Sequence, residues 1–476
     1  MAPLHPRFSA RHLLVAVVPL LAACASTGTS APAAGPAVAI PAAWHAAPAP
    51  SAEPQDLARW WLQLGDPLLV ALVDEAVARN PDLASSRASL REARARLRAA
   101  GAERLPSLDA SAASGTTKAG TADSNANVSA GLDARWELDL FGAQRLGVEA
   151  AEADLARSAA LLDSAHASLA AEVALDYVAL RSAQARLAIA RSNLAGQDET
   201  LQLTLWRVEA GLASAVDLAQ ARSGREQTAA TIPALQAAEA AAAHALAALT
   251  AADTGALTTR LAGPAALPAV PDAITAGIPA DTLGRRPDVR AATQAVLAES
   301  ARSDAARVAR YPSLSLSASL GSEALTLGAL GGAATLSRSL VAALGASLFD
   351  GGRLDAQYDA RQAIRDQALA SLEATLLGAL RETEDALVAF ARNGERELTL
   401  ARALAAAREA AALARQRYQG GLIDFQTVLD TERTLRGVED SRAVARADRL
   451  TSLIQLYKAL GGGWSRPEAN TPRSPA

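Results

Sequence analysis

Few side chains in this sequence have the type and spacing that chemistry requires. Cys24 is the only thiol; alone it excludes an internal disulfide framework, but a thiol at the end of a targeting segment can be acylated. His45, His166 and His244 are the histidines beyond that segment, far apart and without metal-ligand spacing. His166 and His244 are expected to be surface or packing residues of helices. No phosphate-binding loop ending in Gly-Lys-Ser or Gly-Lys-Thr occurs, so nothing points to ATP use. The other candidates are charged: Asp133, Arg135, Glu137 and Asp139 at every second position, and Asp430 in the run RYQGGLIDFQTVLD. This set predicts no catalytic residue, no metal and no cofactor.

The spacing of the first four dictates the element that carries them. In NVSAGLDARWELDL (127–140) they alternate with Leu132, Ala134, Trp136, Leu138 and Leu140. A period of two held this long is an extended strand with one apolar and one wet face. The flanking chain is rich in Ala, Leu, Arg and Glu, the residues of long helices. Half of all residues are hydrophobic but only 3% are aromatic, so Ala and Leu carry the apolar content, which suits closely packed helices. A net charge of −4 offers no basic patch, and no nucleic-acid partner is expected.

The amino terminus reads as an address. Arg7 and Arg11 precede the apolar run 13–23, which is too short to span a membrane and has the flanks of a secretory signal. Its end, Leu21-Ala22-Ala23-Cys24, resembles the bacterial lipobox, where the signal is cut before a cysteine that is then acylated. An ordinary signal with an incidental cysteine is the alternative. Ala25, rather than Asp, favours the outer membrane within that class. Residues 1–23 are thus expected to be a lipoprotein signal peptide and 24–58 a lipidated Pro/Ala-rich tether. No later run is long enough for a membrane-spanning helix, and 465–476 is expected to be a disordered tail.

The rest is written twice. Pro81 falls on Pro287 and Pro106 on Pro312 at one offset, LFGAQR (140–145) falls on LFDGGR (348–353), and RVEAGLASAVDL (207–218) on RYQGGLIDFQTV (417–428). The order is kept while the offset drifts by a few residues. The first repeat, 59–265, is expected to hold strands at about 106–117 and 127–141, a long helix at 143–209 and a return helix at 214–249. The second, 266–464, is expected to hold a helix at 287–309, strands at about 312–322 and 335–349, a long helix at 354–419 and a return helix at 424–460. Val173, Leu180, Leu187, Leu194, Leu201 and Val208 recur every seventh residue, as in a coiled-coil seam. Glycines at Gly211 and Gly420-Gly421 mark the turns.

Four strands cannot close a barrel, an open apolar sheet invites aggregation, and lipid accepts only closed barrels or helices. Strands pooled from several chains resolve this: two chains would give eight strands with a filled interior, and three would give twelve with a lumen. The apolar face would then meet lipid, and Asp133, Arg135, Glu137 and Asp139 would line the lumen. Phe141, Tyr311 and Phe349 flank the strands where an aromatic belt would lie.

With these residues in place, PAAW (41–44), WWLQLGDPLLVALVDEAVARNPDL (60–83), WELDLFG, SLFDGGR, RYQGGLIDFQTVLD and LYKALGGGW (456–464) resemble the TolC family over nearly the whole mature chain. More narrowly, they resemble its OprM- or NodT-type outer-membrane efflux lipoproteins. The resemblance implies a mainly α fold with membrane β: a homotrimer forming a twelve-stranded barrel in outer-membrane lipid, continued by a periplasmic α-helical barrel. It implies a passive exit duct for small molecules, coupled through a periplasmic adaptor to an inner-membrane RND pump. Gly211, Leu212, Ser214, Gly420, Gly421 and Leu422 would be the helix-turn tips that meet the adaptor. Tyr418 and Asp430 match residues of the periplasmic gate. This chain departs from TolC in having Ile423 at its gate arginine and Thr427 at a second ring aspartate, which leaves a TolC-like closing network incomplete. The only methionine is the initiator, which weakly disfavours copper or silver export. A duct for type I protein secretion and a lipid-anchored coiled-coil scaffold are the alternatives; the lipobox argues against the first and the four strands against the second.

Overall fold

A computed structural model of the chain describes residues 38–46, 57–118, 120, 125–263, 266–271 and 279–465. The signal segment, Cys24, most of the tether and the expected tail beyond 465 lie outside the described residues. Prolines and the capping residues before them set where the first helices begin. Asp66 accepts hydrogen bonds from the N–H groups of Leu68 and Leu69 and opens α1 (Pro67–Arg79). Asn80 then caps α2 (Pro81–Ala102) by accepting from Asp82 and Leu83. Proline in the first turn costs nothing, because its missing N–H has no partner there. The matching helix of the second repeat, α7 (Pro287–Val308), has Arg286 at its cap without a side-chain cap bond.

Each of these helices runs into a hairpin: β1 (Ser107–Thr117) with β2 (Asn125–Leu138), and β3 (Ser313–Ala324) with β4 (Leu336–Gly345). The four form one antiparallel sheet in the order β1-β2-β3-β4, so the two repeats meet at the β2–β3 pair and β1 and β4 are left as edges. β2 and β4 stop short of the expected 141 and 349. Pro106 and Pro312 cannot donate to a ladder, and the last pairs at that end are Ser107 with Arg135, Leu138 with Leu314, and Ser313 with Gly345.

Each hairpin feeds a 67-residue helix, α3 (Ala143–Glu209) and α8 (Arg353–Gln419), about 100 Å long at 1.5 Å per residue. Each returns through a shorter helix, α4 (Ala215–Thr250) and α9 (Phe425–Ala459). Val173, Leu180 and Leu187 of the seam are buried, as are Leu235, Ala242, Ala243, Leu246 and Ala247 of α4. α4 is long and apolar enough to resemble a membrane span; here its Ala-rich face packs along α3. Two short helices, α5 (Thr254–Leu261) and α6 (Pro279–Arg285), lie on the link between repeats.

The thickest core among the described residues lies where α1, α3, α4 and α9 meet. Trp60, Trp61, Leu64, Leu69, Val73, Tyr177, Leu246, Leu450, Ile454 and Tyr457 are buried together. Trp60 stacks on Tyr457 at 5.3 Å, the Tyr177 hydroxyl donates to Asp66 at 2.6 Å, and that of Tyr457 donates to Gln63 at 2.8 Å. Burial pushes both phenols up to about 12, with the Asp66 hydrogen bond adding to the shift of Tyr177. The closing glycines pass through this core at backbone distance. A Cβ on Gly462 would stand 2.9 Å from the carbonyl oxygens of Leu57 and Tyr457, and the Gly463 N–H donates to the Leu57 carbonyl at 2.9 Å.

Candidate functional site

Two regions carry the candidate residues: the sheet and the turns at the far ends of α3 and α8. In the sheet the register pairs even-numbered residues with even and odd with odd. One face therefore carries Leu108, Leu132, Trp136, Leu316, Leu320, Leu340 and Leu344. These apolar residues have no core to enter; Leu132, Leu320, Leu340 and Leu344 are all exposed. The opposite face holds a row running Asp109, Asp133, Ser319, Ser339, in which the two serine hydroxyls are 2.8 Å apart. Next to it run Ser107, Arg135 and Ser317, and then Glu137 opposite Ser315. Asp109, directly across from Asp133, belongs with the expected set although the sequence reading does not include it. The alternation Asp109/Ser111 against Leu108/Ala110 is the signal that marks it.

Asp139 leaves that set. It stands past the end of β2, and its carboxylate accepts the Arg145 backbone N–H at 2.8 Å. Asp350 does the same in the second repeat, accepting from Gly352, Arg353 and Leu354. Both carboxylates serve the exposed N–H groups at the start of a long helix, so sequence alternation ran on beyond the strand. Aromatics gather at this helix-side edge of the sheet. Phe141 and Tyr311 pack at 5.1 Å, and the Trp136 indole donates to the Arg104 carbonyl at 3.0 Å. Phe349 stands exposed beyond β4.

The turns share one geometry. Leu212 N–H donates to the Arg207 carbonyl at 2.7 Å and Gly211 to Val208 at 3.0 Å; Leu422 donates to Arg417 at 2.9 Å and Gly421 to Tyr418 at 3.0 Å. These are the paired bonds of a Schellman motif. Gly211 at φ +73° and Gly421 at +72° take the left-handed position, while Gly420 is right-handed. Ser214 then opens α4 in a capping box with Asp217, and Asp424 opens α9 by accepting from Thr427. Those hydrogen bonds hold the Asp424 carboxyl below its usual range. Leu212 and Leu422, 70% and 76% exposed, form the apolar tips.

Above the tips, Tyr418 is buried among Ala221, Ala414, Phe425 and Val428. The Arg207 guanidinium lies 4.4 Å from its ring centre and donates to its backbone carbonyl at 3.1 Å. This contact ties the end of α3 to the end of α8. Burial pushes the Tyr418 phenol up and Arg207 opposes that shift. The sequence alone does not single out Arg207, although it occupies the place of Arg417 in the repeat. Asp430 is solvated, accepts from Gln426 at 3.0 Å and lies 3.6 Å from Arg433. Nearby, buried Glu432 pairs with Arg415 at 2.8 Å. A groove of about 760 Å³ opens beside them, lined by Arg186, Asn193, Gln227, Thr231, Arg433 and Arg436 among others. His166, half-buried on α3, is held below its ordinary value by burial and by Arg87. No cluster of metal-ligating side chains occurs among the described residues.

A short sheet, apolar on one face and polar on the other, at the end of two paired rods of this length defines an outer-membrane channel protein. The sequence profile described as "Outer membrane efflux protein" matches residues 72–252 and 278–462, and the chain belongs to that family. It is 33% identical over 418 residues to the solvent efflux pump outer membrane protein SrpC of Pseudomonas putida, covering 84% of this chain and 86% of that one. It is 32% identical over 467 residues to the pyoverdine export outer membrane protein OpmQ of Pseudomonas aeruginosa, covering 95% and 96%. Among solved structures it superposes on the outer-membrane channel OprN with a TM-score of 0.84 at 35% identity, covering 92% of this chain and 99% of that one. The chain is an efflux channel of the outer membrane that extends into the periplasm.

Proposed function

We propose that three copies of this chain close a twelve-stranded barrel and, below it, a helical barrel. Together they make a passive exit duct that takes small molecules from an inner-membrane RND pump and its periplasmic adaptor. The observation that carries this reading is the open sheet: two edges, β1 and β4, unpaired among the described residues, and an apolar face that no described residue covers. Its strands have the 10 to 14 residues that a tilted crossing needs. Asp109, Asp133, Arg135 and Glu137 line the lumen, and Cys24 carries the lipid anchor. The exposed tips around Leu212 and Leu422 meet the adaptor. The Arg207–Tyr418 contact holds the two hairpins of a protomer together at the mouth, with Asp430 in a ring whose charge Arg433 partly balances. The duct performs no chemistry; pump and adaptor supply direction and energy. Native mass measurement of the protein extracted in mild detergent tests this: three mature, acylated chains support it, while a water-soluble dimer would replace it with a periplasmic scaffold.

A further inference from the structure

The apolar face of the sheet carries one anomaly. Its even-numbered positions on β1, β2, β3 and β4 are Leu, Ala, Val, Trp, Ser and Thr, with a single charged exception, Arg338. Arg338 stands opposite Leu320, between Leu336 and Leu340 on its own strand, and it is exposed. It makes no ion pair and no side-chain hydrogen bond among the described residues. Nor does the edge strand of a neighbouring protomer offer it a carboxylate: the outward positions of β1 are Leu108, Ala110, Ala112, Ser114 and Thr116, whatever register that strand adopts against β4. The loop 325–335 contains no charged residue either.

Its depth is informative. The last β3–β4 pair is Ser322 with Leu336, so Arg338 lies roughly 7 Å from the loop end of the hairpin at 3.3 Å per residue. That end points away from the long helices, hence away from the periplasm. A guanidinium at this level reaches the head groups of the outer leaflet, where its cost is least. Its planar fork matches a phosphate in a two-bonded contact, and Leu320, Leu336 and Leu340 offer an apolar shelf for an acyl chain beneath it. We infer that Arg338 binds a phosphate of lipid A in the lipopolysaccharide leaflet, fixing one lipid at the outer rim of each protomer. The inference rests on the apolar face being the lipid face.

The test uses assembled wild-type, Arg338→Gln and Arg338→Lys protein in mild detergent, with lipid retention read by native mass spectrometry. The probes are bisphosphorylated lipid A, dephosphorylated lipid A, phosphatidylglycerol and inorganic phosphate. A charge-assisted contact predicts about tenfold weaker binding of bisphosphorylated lipid A by Arg338→Gln, a smaller loss for Arg338→Lys, and no change for the dephosphorylated form. Equal binding by wild type and Arg338→Gln overturns the inference. So does equal preference for phosphatidylglycerol, or competition by inorganic phosphate at comparable concentration. Failure of all three proteins to assemble would instead contradict the barrel itself.

Discussion

Arginine placed at two neighbouring positions of β2 separates the two faces of the sheet. Leu132 pairs with Ala110 on one side and Leu320 on the other. It lies six residues from the helix-side end of β2 at Leu138, about 20 Å along the strand and about 15 Å along the membrane normal for a tilt near 40°. In the proposed barrel that is the bilayer midplane. An arginine there costs about 2–4 kcal/mol per copy, and a trimer carries the cost three times, about 6–12 kcal/mol, comparable with the whole stability of a typical folded domain. Asp133→Arg, one residue on, exchanges a lumen carboxylate opposite Asp109 for a cation and meets no lipid. At matched expression, Leu132→Arg should lose most of the heat-resistant oligomer from outer-membrane fractions. Asp133→Arg should keep it and lower cation preference in planar bilayers. Equal loss in both variants, or none in either, would refute the assignment of faces.

Gly462→Ala should lower the thermal midpoint, because its Cβ would meet two backbone carbonyls at 2.9 Å that cannot yield as a side chain does; overpacking of this kind costs about 1–3 kcal/mol, readable by calorimetry. Tyr177 and Tyr457 are raised to about 12, so their contribution is complete below pH 10 and is lost as pH climbs from about 10 to 12. A Tyr177→Phe, Tyr457→Phe double variant should start with a lower midpoint at pH 8 but decline less than wild type by pH 11.5. Cys24→Ser should abolish fatty-acid labelling while leaving barrel insertion largely intact, and equal label in both proteins would refute the anchor. Arg207→Ala removes the cation over Tyr418 and a hydrogen bond to its carbonyl, together worth about 2 kcal/mol, and should raise basal conductance without reducing oligomer.

The fold was legible because its signals are local and repeated. Alternation over NVSAGLDARWELDL needs no partner to be read as a strand, and Pro81 and Pro287 mark helix starts by their missing N–H. What escaped the sequence depends on partners far along the chain. Asp139 continues the strand's alternation yet caps a helix, because the β2–β3 ladder ends at the Leu138–Leu314 pair. Arg207 looks like an ordinary cation in the last turn of a helix until Tyr418 lies beneath it. Asp430 reads as an unopposed carboxylate at the end of its motif, while Arg433 three residues on shares its charge. Trp60 and Gly463, separated by most of the chain, show their purpose only when packed together.

The central claim is that free edges β1 and β4 pair between protomers, and edge-to-edge cross-linking in native outer membranes tests it most directly. One cysteine at Ala112 on β1 is combined in turn with one at Ser339, Leu340, Val341 or Ala342 on β4, and the thiols are joined by a short oxidative or bismaleimide link. Cys24 is acylated and silent in this account, and each single-cysteine control should give no product. The account predicts, for at least one combination, a covalent ladder that ends at three chains. A ladder that ends at two, one that runs on without limit, or no product from any combination would contradict it.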